Sequence, residues 1–83
     1  MPAGPRRLTL YGHSYCSLCE TMHVQLLGLA GELGFEIDLV DIHDDARLET
    51  RFGERVPVLC GADAEICHHV LDEPALRRYL SGA

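Results

Sequence analysis

Hydrophobic and polar side chains alternate over residues 7–11, which predicts a strand with one buried face that ends at Gly12. The apolar residues of 18–33 recur with helical spacing, and Gly34 is well placed to end that helix. Alternation returns over residues 35–42 and predicts a second strand. Because short crossovers within one sheet are right-handed, strand, helix and strand are expected to form a unit whose strands are parallel.

A short helix is predicted after this unit. Asp44 and Asp45 are suitable N-terminal caps, Leu48 and Phe52 lie four residues apart on one face, and Gly53 is a natural end. The segment is therefore expected to pack one narrow apolar face against the sheet.

A hairpin and a last helix complete the pattern. Residues 57–60 and 65–67 flank a turn at 61–64 that contains glycine. Asp72 is placed to cap the last helix, with Pro74 in its first turn. The apolar stripe of that helix consists of Leu76, Tyr79 and Leu80.

The predicted order is thus βαβαββα, an α/β fold with a small four-stranded mixed sheet covered by helices. A chain of 83 residues is long enough for one domain and too short for two. We expect residues 1–83 to form that single domain, with residues 1–6 as a loose N-terminal lead-in.

Charge and composition exclude several classes of partner. A net charge of −6 argues against nucleic acid and anionic membranes, which are bound by clustered basic residues. No apolar run approaches the ~20 residues of a membrane span. The first residues lack the apolar core of a secretory signal, so we expect a cytoplasmic protein. In that reducing compartment the four cysteines are not expected to form a permanent disulfide framework. Separately, we expect the protein to be a monomer.

The segment Cys16-Ser17-Leu18-Cys19 carries the candidate chemistry. It stands between the first strand and the long helix, which puts Cys16 at a helix N-terminus where free N–H groups and the helix dipole stabilise a thiolate. A thiolate attacks disulfides, and Cys19 lies one helical turn away. The pair is therefore expected to cycle between dithiol and disulfide.

Alternatively, Cys16 and Cys19 could supply two of the ligands of a zinc site. The remaining cysteines, Cys60 and Cys67, lie far downstream without the spacing of a zinc ribbon, so redox chemistry is favoured and no metal ligand is assigned. Cys60 and Cys67 flank the turn and could be neighbours across the hairpin, where a second redox pair is conceivable. Inert thiols are the favoured reading, because buried free cysteines pack on strands as small hydrophobes. Of His68 and His69, only one could join a metal site, because neighbouring strand residues point to opposite faces.

Three further side chains lie close to the cysteines in sequence. His13 either supplies a positive charge that favours the thiolate or docks an anionic group, or it is an ordinary loop histidine. Tyr15 either lines the site or is an exposed ring. His23 follows Cys19 by four residues and so shares its helical face, where a boundary histidine beside the core is the favoured reading.

Taken together, four segments resemble the glutaredoxin-like family of the thioredoxin-fold superfamily: residues 8–11, the cysteine motif, the helix end at 48–53, and Val56-Pro57. The resemblance implies a thioredoxin-like fold and a cis peptide bond before Pro57, which would face the Cys16 loop. It also implies that the backbone of Val56 pairs with an extended substrate, an arrangement that gives affinity without a particular side chain.

The chain departs from that family where glutathione is usually held. His13 stands where many members have lysine, Arg55 where many have threonine, and residues 67–72 lack the expected glycines. The resemblance thus keeps the dithiol chemistry and leaves glutathione as one candidate reductant or co-substrate.

From these observations we expect a dithiol thiol–disulfide oxidoreductase with Cys16 as nucleophile and Cys19 as resolving thiol. Val56, Pro57, His13 and Tyr15 are the expected substrate-binding residues, and no cofactor is built in. The substrates would be disulfides of proteins or mixed disulfides with glutathione. The alternative is a non-catalytic thioredoxin-fold module that binds a partner protein or a metal through the same cysteine loop.

Overall fold

The computed structural model describes residues 6–62 and 64–82. Its elements in chain order are β1 (Arg6–Gly12), α1 (Ser17–Leu33), β2 (Phe35–Asp41), α2 (Ala46–Phe52), β3 (Val58–Cys60), β4 (Glu65–His68) and α3 (Glu73–Leu80). The predicted order of elements is confirmed. Several boundaries differ from the predicted ones by one residue, and among them Arg6 belongs to β1 and not to the lead-in. The rest of the predicted lead-in, residues 1–5, and Asp63 of the predicted turn lie outside the described residues.

The four strands form one mixed sheet in the order β2-β1-β3-β4. β1 and β2 are parallel as predicted, with Arg6 opposite Phe35 and Gly12 opposite Asp41. β3 runs antiparallel to both β1 and β4. Because β1 and β2 point the same way, their last residues meet at one edge of the sheet, where the cysteine loop begins.

Helices cover both faces of the sheet, since residues along a strand alternate between them. On one face, α1 and α3 bury a core whose fully buried members are Leu8, Leu10, Met22, Leu26, Phe35, Leu59 and Leu76. On the other face, α2 buries Ile42, Phe52 and Val58. The Phe52 ring stacks on Tyr11 with 4.5 Å between ring centroids, which fixes α2 against β1.

Side chains predicted as helix caps occupy those positions. Asp45 accepts hydrogen bonds from the N–H groups of Arg47 and Leu48, and Asp72 accepts one from Ala75. Gly34 ends α1 with φ of 73°, a left-handed conformation that glycine adopts without strain. None of the helices in the described part of the chain combines the length and apolar character needed to cross a bilayer.

Leu26 and Leu27 are neighbours in α1 but differ in burial. Leu26 is 0% exposed and Leu27 is 57% exposed. We expect Leu26→Ala to lower the free energy of unfolding by about 2–5 kcal/mol, because it leaves a cavity under the sheet. Leu27→Ala, the matched control, should change it by about 0.5 kcal/mol or less. Urea denaturation with the cysteine pair reduced measures both; equal losses would contradict the assigned core.

Candidate active site

Cys16 is the N-cap residue of α1 and has extended backbone angles, with φ of −126° and ψ of 107°. Its Sγ accepts a hydrogen bond of 3.1 Å from the backbone N–H of Cys19. The two cysteines form a disulfide, with their Cα atoms 5.1 Å apart. A sulfur that already accepts an amide hydrogen at a helix N-terminus is in the surroundings that favour its thiolate.

The two sulfurs differ in exposure. Cys16 is half-buried, whereas Cys19 is only 8% exposed and lies against the end of β1. A Cβ atom added at Gly12 would stand 2.9 Å from the Cys19 Sγ, too close for any side chain other than hydrogen. Gly12 therefore allows the strand to approach the second sulfur directly.

Two cavities open beside Cys16. The first, of about 240 Å³, is lined by both cysteines and by Gly12, His13, His23 and Asp41 among others. The second, of about 500 Å³, is lined by Cys16, Tyr15, Leu18, His43 and Val56 among others. Cys16 thus lines both spaces that a ligand can enter, whereas Cys19 lines the first and not the second.

Asp41, at the end of β2, ties the cysteine loop to the sheet. The Ser14 hydroxyl donates a hydrogen bond to one carboxylate oxygen, and the backbone N–H of His43 donates to the other at 2.9 Å. The bond from Ser14 first, and then that from His43, hold the pKa of Asp41 below its ordinary value. Asp41 is therefore ionised at neutral pH.

The structure brings the predicted residues His13, Tyr15 and Val56 to the second cavity beside Cys16. His13 also lines the first cavity, and its Nε2 lies 3.2 Å from a carboxylate oxygen of Glu49. Tyr15 is fully exposed. His23 lines the first cavity together with Cys19, on the shared helical face.

Val56 and Pro57 precede β3. The peptide bond between them is cis, and Pro57 is buried. His69 contacts the same segment. Its backbone N–H donates to the Pro57 carbonyl at 2.8 Å, and the Nδ1 atom of its ring lies 3.4 Å from the Val56 carbonyl oxygen. His69 has φ of 68°, an uncommon value for a residue other than glycine.

Several residues of the two cavities were missed by sequence reasoning, namely Ser14, Leu18, Glu20, Leu39, Val40, Asp41 and His43. A signal for Asp41 was present, because it lies near the end of a strand predicted to be parallel to the one before the cysteines. The ends of parallel strands meet at one sheet edge, where loop residues gather.

Cys60 and Cys67 are not direct partners across the hairpin. Leu59 is opposite Cys67, and Cys60 is opposite Glu65, because the register shifts between Leu59 and Cys60. Both thiols are free, and burial raises the pKa of each. Over residues 6–62 and 64–82, no three side chains of His, Cys, Asp or Glu converge as metal ligands would.

Comparisons with known proteins agree with this arrangement. Residues 7–81 match the model of the family described as Glutaredoxin-like domain (DUF836). A search of curated proteins finds no match.

Solved structures also resemble this chain. The solution structure of protein Ne2328 from Nitrosomonas europaea is 34% identical, with 95% of each chain covered and a TM-score of 0.84. The X-ray structure of protein XcR50 from X. campestris is 39% identical over 92% of this chain and 97% of that one, with a TM-score of 0.72. Thioredoxin 1 from Thermosipho africanus is 17% identical over 90% of this chain and 94% of its own, with a TM-score of 0.61. The last comparison confirms the thioredoxin-like fold.

The different surroundings of the cysteines predict different thiol reactivities. In the reduced protein, iodoacetamide at neutral pH should modify Cys16 at least about tenfold faster than Cys60 or Cys67, since alkylation needs a thiolate. Peptide mass spectrometry over time gives each rate. Modification of Cys60 or Cys67 as fast as Cys16 would contradict this assignment.

The contact between Ser14 and Asp41 predicts a pH effect. Ser14→Ala should raise the pKa of Asp41 towards the ordinary aspartate value, because the largest cause of its lowering is removed. NMR titration of the Asp41 carboxyl carbon measures this, with Ser81→Ala, whose hydroxyl contacts Arg78 instead, as the control.

The lowered pKa of Asp41 also determines how the free energy of unfolding changes with pH. A lowered pKa in the folded state gives stability that is present above the unfolded-state pKa and is lost as pH falls through the folded-state pKa. Wild type should therefore lose more stability than Ser14→Ala on acidification below the ordinary aspartate pKa. Identical Asp41 titration in both proteins would refute the assigned bond.

Proposed function

Because the chain belongs to the glutaredoxin-like domain family, we propose that it is a dithiol thiol–disulfide oxidoreductase that reduces disulfides of proteins or mixed disulfides with glutathione. The observation that carries the proposal is the asymmetry of the cysteine pair. Cys16 caps a helix and opens onto two cavities, while Cys19 is buried one turn behind it. An accessible attacking sulfur and a sheltered resolving sulfur are what this chemistry needs.

The reaction balances over two exchanges. The Cys16 thiolate attacks one sulfur of the substrate disulfide; that S–S bond breaks, and the departing thiolate takes a proton from solvent. The Cys19 thiol then loses its proton and its sulfur attacks the Cys16 sulfur; the mixed S–S bond to the substrate breaks, and the second substrate thiolate takes up a proton. The substrate gains two electrons and two protons, and the protein ends with the Cys16–Cys19 disulfide. Two equivalents of a small thiol, or one dithiol reductase, return the pair to the reduced form.

The helix start supports the first exchange. The Cys19 N–H points at the Cys16 sulfur, and the 17-residue α1 directs the positive end of its dipole to the same place. Both favour the thiolate over the thiol, so more Cys16 is in the attacking form at neutral pH.

The surroundings of Cys16 supply the proposed substrate contacts. The Val56-Pro57 segment would act as a shelf on which an extended substrate pairs with the backbone, and His13 and Tyr15 would line its path. We place this activity in the cytoplasm, in a monomeric protein without a resident cofactor.

Equilibration against a glutathione redox series tests the proposal. The wild-type protein should form and lose the Cys16–Cys19 disulfide reversibly, and Cys19→Ser should accumulate glutathione on Cys16, because the resolving thiol is missing. Cys16→Ser should lose disulfide reduction by at least about a hundredfold, since the attacking sulfur is absent. Mass spectrometry maps the bonds, and reduction of a peptide disulfide gives the rates.

Cys60→Ala is the matched control, a cysteine variant outside both cavities. It should keep the wild-type rate and the wild-type redox transition. If neither Cys16 nor Cys19 exchanges across the series, the proposal fails and a binding module without turnover is the better description.

A further inference from the structure

We propose that the site takes its disulfide from an extended polypeptide segment that is apolar next to the cysteine and carries basic residues. We further propose that anionic disulfides, oxidised glutathione among them, are poor substrates. The inference rests on the proposed function and names the substrate class of the same site. Three independent observations carry it: the apolar surface around Cys16, the carboxylates near it, and the pairing of Arg7, Arg55 and Arg77 with groups outside both cavities.

The first observation is the apolar surface. Tyr15 is fully exposed, Leu18 is 47% exposed, and Val70 is 64% exposed. Leu18 separates the second cavity from a third groove of about 110 Å³ that Met22, Val70 and Leu71 also line. The two spaces provide room for apolar side chains beside Cys16 and Val56. A polypeptide with apolar neighbours to its cysteine fits this surface better than a small, highly charged molecule.

The second observation is the charge of the first cavity. Glu20 and Asp41 line it, and Asp41 is held ionised by Ser14 and His43. The other titratable groups that line the two cavities are His13, His23, His43, Tyr15 and the two cysteines, and the His13 imidazole lies beside Glu49. Neither cavity, as the structure describes the chain, is lined by an arginine. Lysine is absent from the whole sequence.

The third observation is that the guanidinium groups of three arginines pair with groups outside the two cavities. Arg55 directly precedes Val56, yet its guanidinium donates to Glu65 at 2.6 Å and to the Arg51 carbonyl at 3.2 Å. Arg7 pairs with Glu36 and Asp38 at the opposite end of β1 from the cysteine loop. Arg77 pairs with Glu32 and Glu73 on the far helix. Each of these guanidinium groups thus contacts acceptors of the same chain and lines neither cavity.

Charge complementarity follows from these observations. Glutathione carries two carboxylates and one ammonium at neutral pH, so its carboxylates would meet Glu20 and Asp41 with no lysine or cavity-lining arginine to offset the repulsion. A basic segment would meet the same carboxylates with attraction. The net charge of −6 acts in the same direction over longer range. These effects weaken with salt, because the Debye length falls from about 30 Å at 0.01 M to about 4 Å at 0.5 M.

The test uses three capped peptide disulfides of equal length with the same leucine beside the cysteine. Two arginines, two glutamines or two glutamates flank that core, and oxidised glutathione is the fourth substrate. Single-turnover reduction by the reduced protein is followed at low and high salt. The arginine peptide should react at least about tenfold faster than the glutamate peptide at low salt. Salt should slow the arginine peptide and speed the glutamate peptide.

Two variants with the same charge change locate the effect. Glu20→Lys should lower the ratio of arginine-peptide to glutamate-peptide rates at least about threefold, whereas Glu54→Lys, exposed and lining neither cavity, should lower it less than about 1.5-fold. Using the ratio cancels any change in the Cys16 thiolate, since both peptides react with the same sulfur. Glu20→Gln gives a smaller shift in the same direction and replaces Glu20→Lys if that variant fails to fold.

The outcomes separate this inference from the proposed function. Equal rates for the three peptides, or fastest reduction of oxidised glutathione, would overturn the substrate class while leaving the oxidoreductase intact. Equal effects of Glu20→Lys and Glu54→Lys would overturn the role of the cavity carboxylate. Failure to reduce any of the four disulfides would overturn the proposed function itself.

Discussion

The parallel pairing of β1 with β2 is the constraint on which the rest of the structure depends. It requires α1 as the crossover, and the crossover must start at the sheet edge where both strands end. The first turn of α1, the loop after β1 and the last residue of β2 are therefore neighbours. The cysteine pair gains its helix-terminal surroundings, and Asp41 gains its contact with Ser14, from this one topological choice.

Apolar clusters on both faces of the sheet position the functional groups. α1 and α3 bury one face of the sheet and α2 buries the other, so both faces of β3 are covered. The segment before β3 is thereby held near the start of α1, and Val56 lines a cavity together with Cys16. His69 adds contacts to both carbonyls of this segment from the end of β4.

The elements and the cysteine pair were predictable because they are encoded locally. Alternation marks β1 and β2, carboxylate caps mark α2 and α3, and Gly34 marks the end of α1. The site around Cys16 depends instead on which strand ends adjoin, and that is a tertiary property. Glu20 and His43 carry no local signal of function.

The hairpin shows the limit of local patterns most clearly. Cys60 directly precedes the turn and Cys67 follows it after two further residues. The shift in register puts Cys67 opposite Leu59 and so on the other face of the sheet from Cys60, because side chains alternate between the faces. Such a shift is set by packing on both sides of the sheet. Spacing in the chain does not determine it.

The contact between Gly12 and Cys19 divides the site into a part that can vary and a part that cannot. Ser14, Tyr15, Ser17 and Leu18 are exposed, so sequence change there can alter how Cys16 meets a substrate without disturbing the interior. Cys19 is enclosed by a strand end that tolerates no side chain beside its sulfur. Changes in the loop can therefore alter substrate choice, whereas the position of the resolving sulfur of Cys19 depends on its packing against the end of β1.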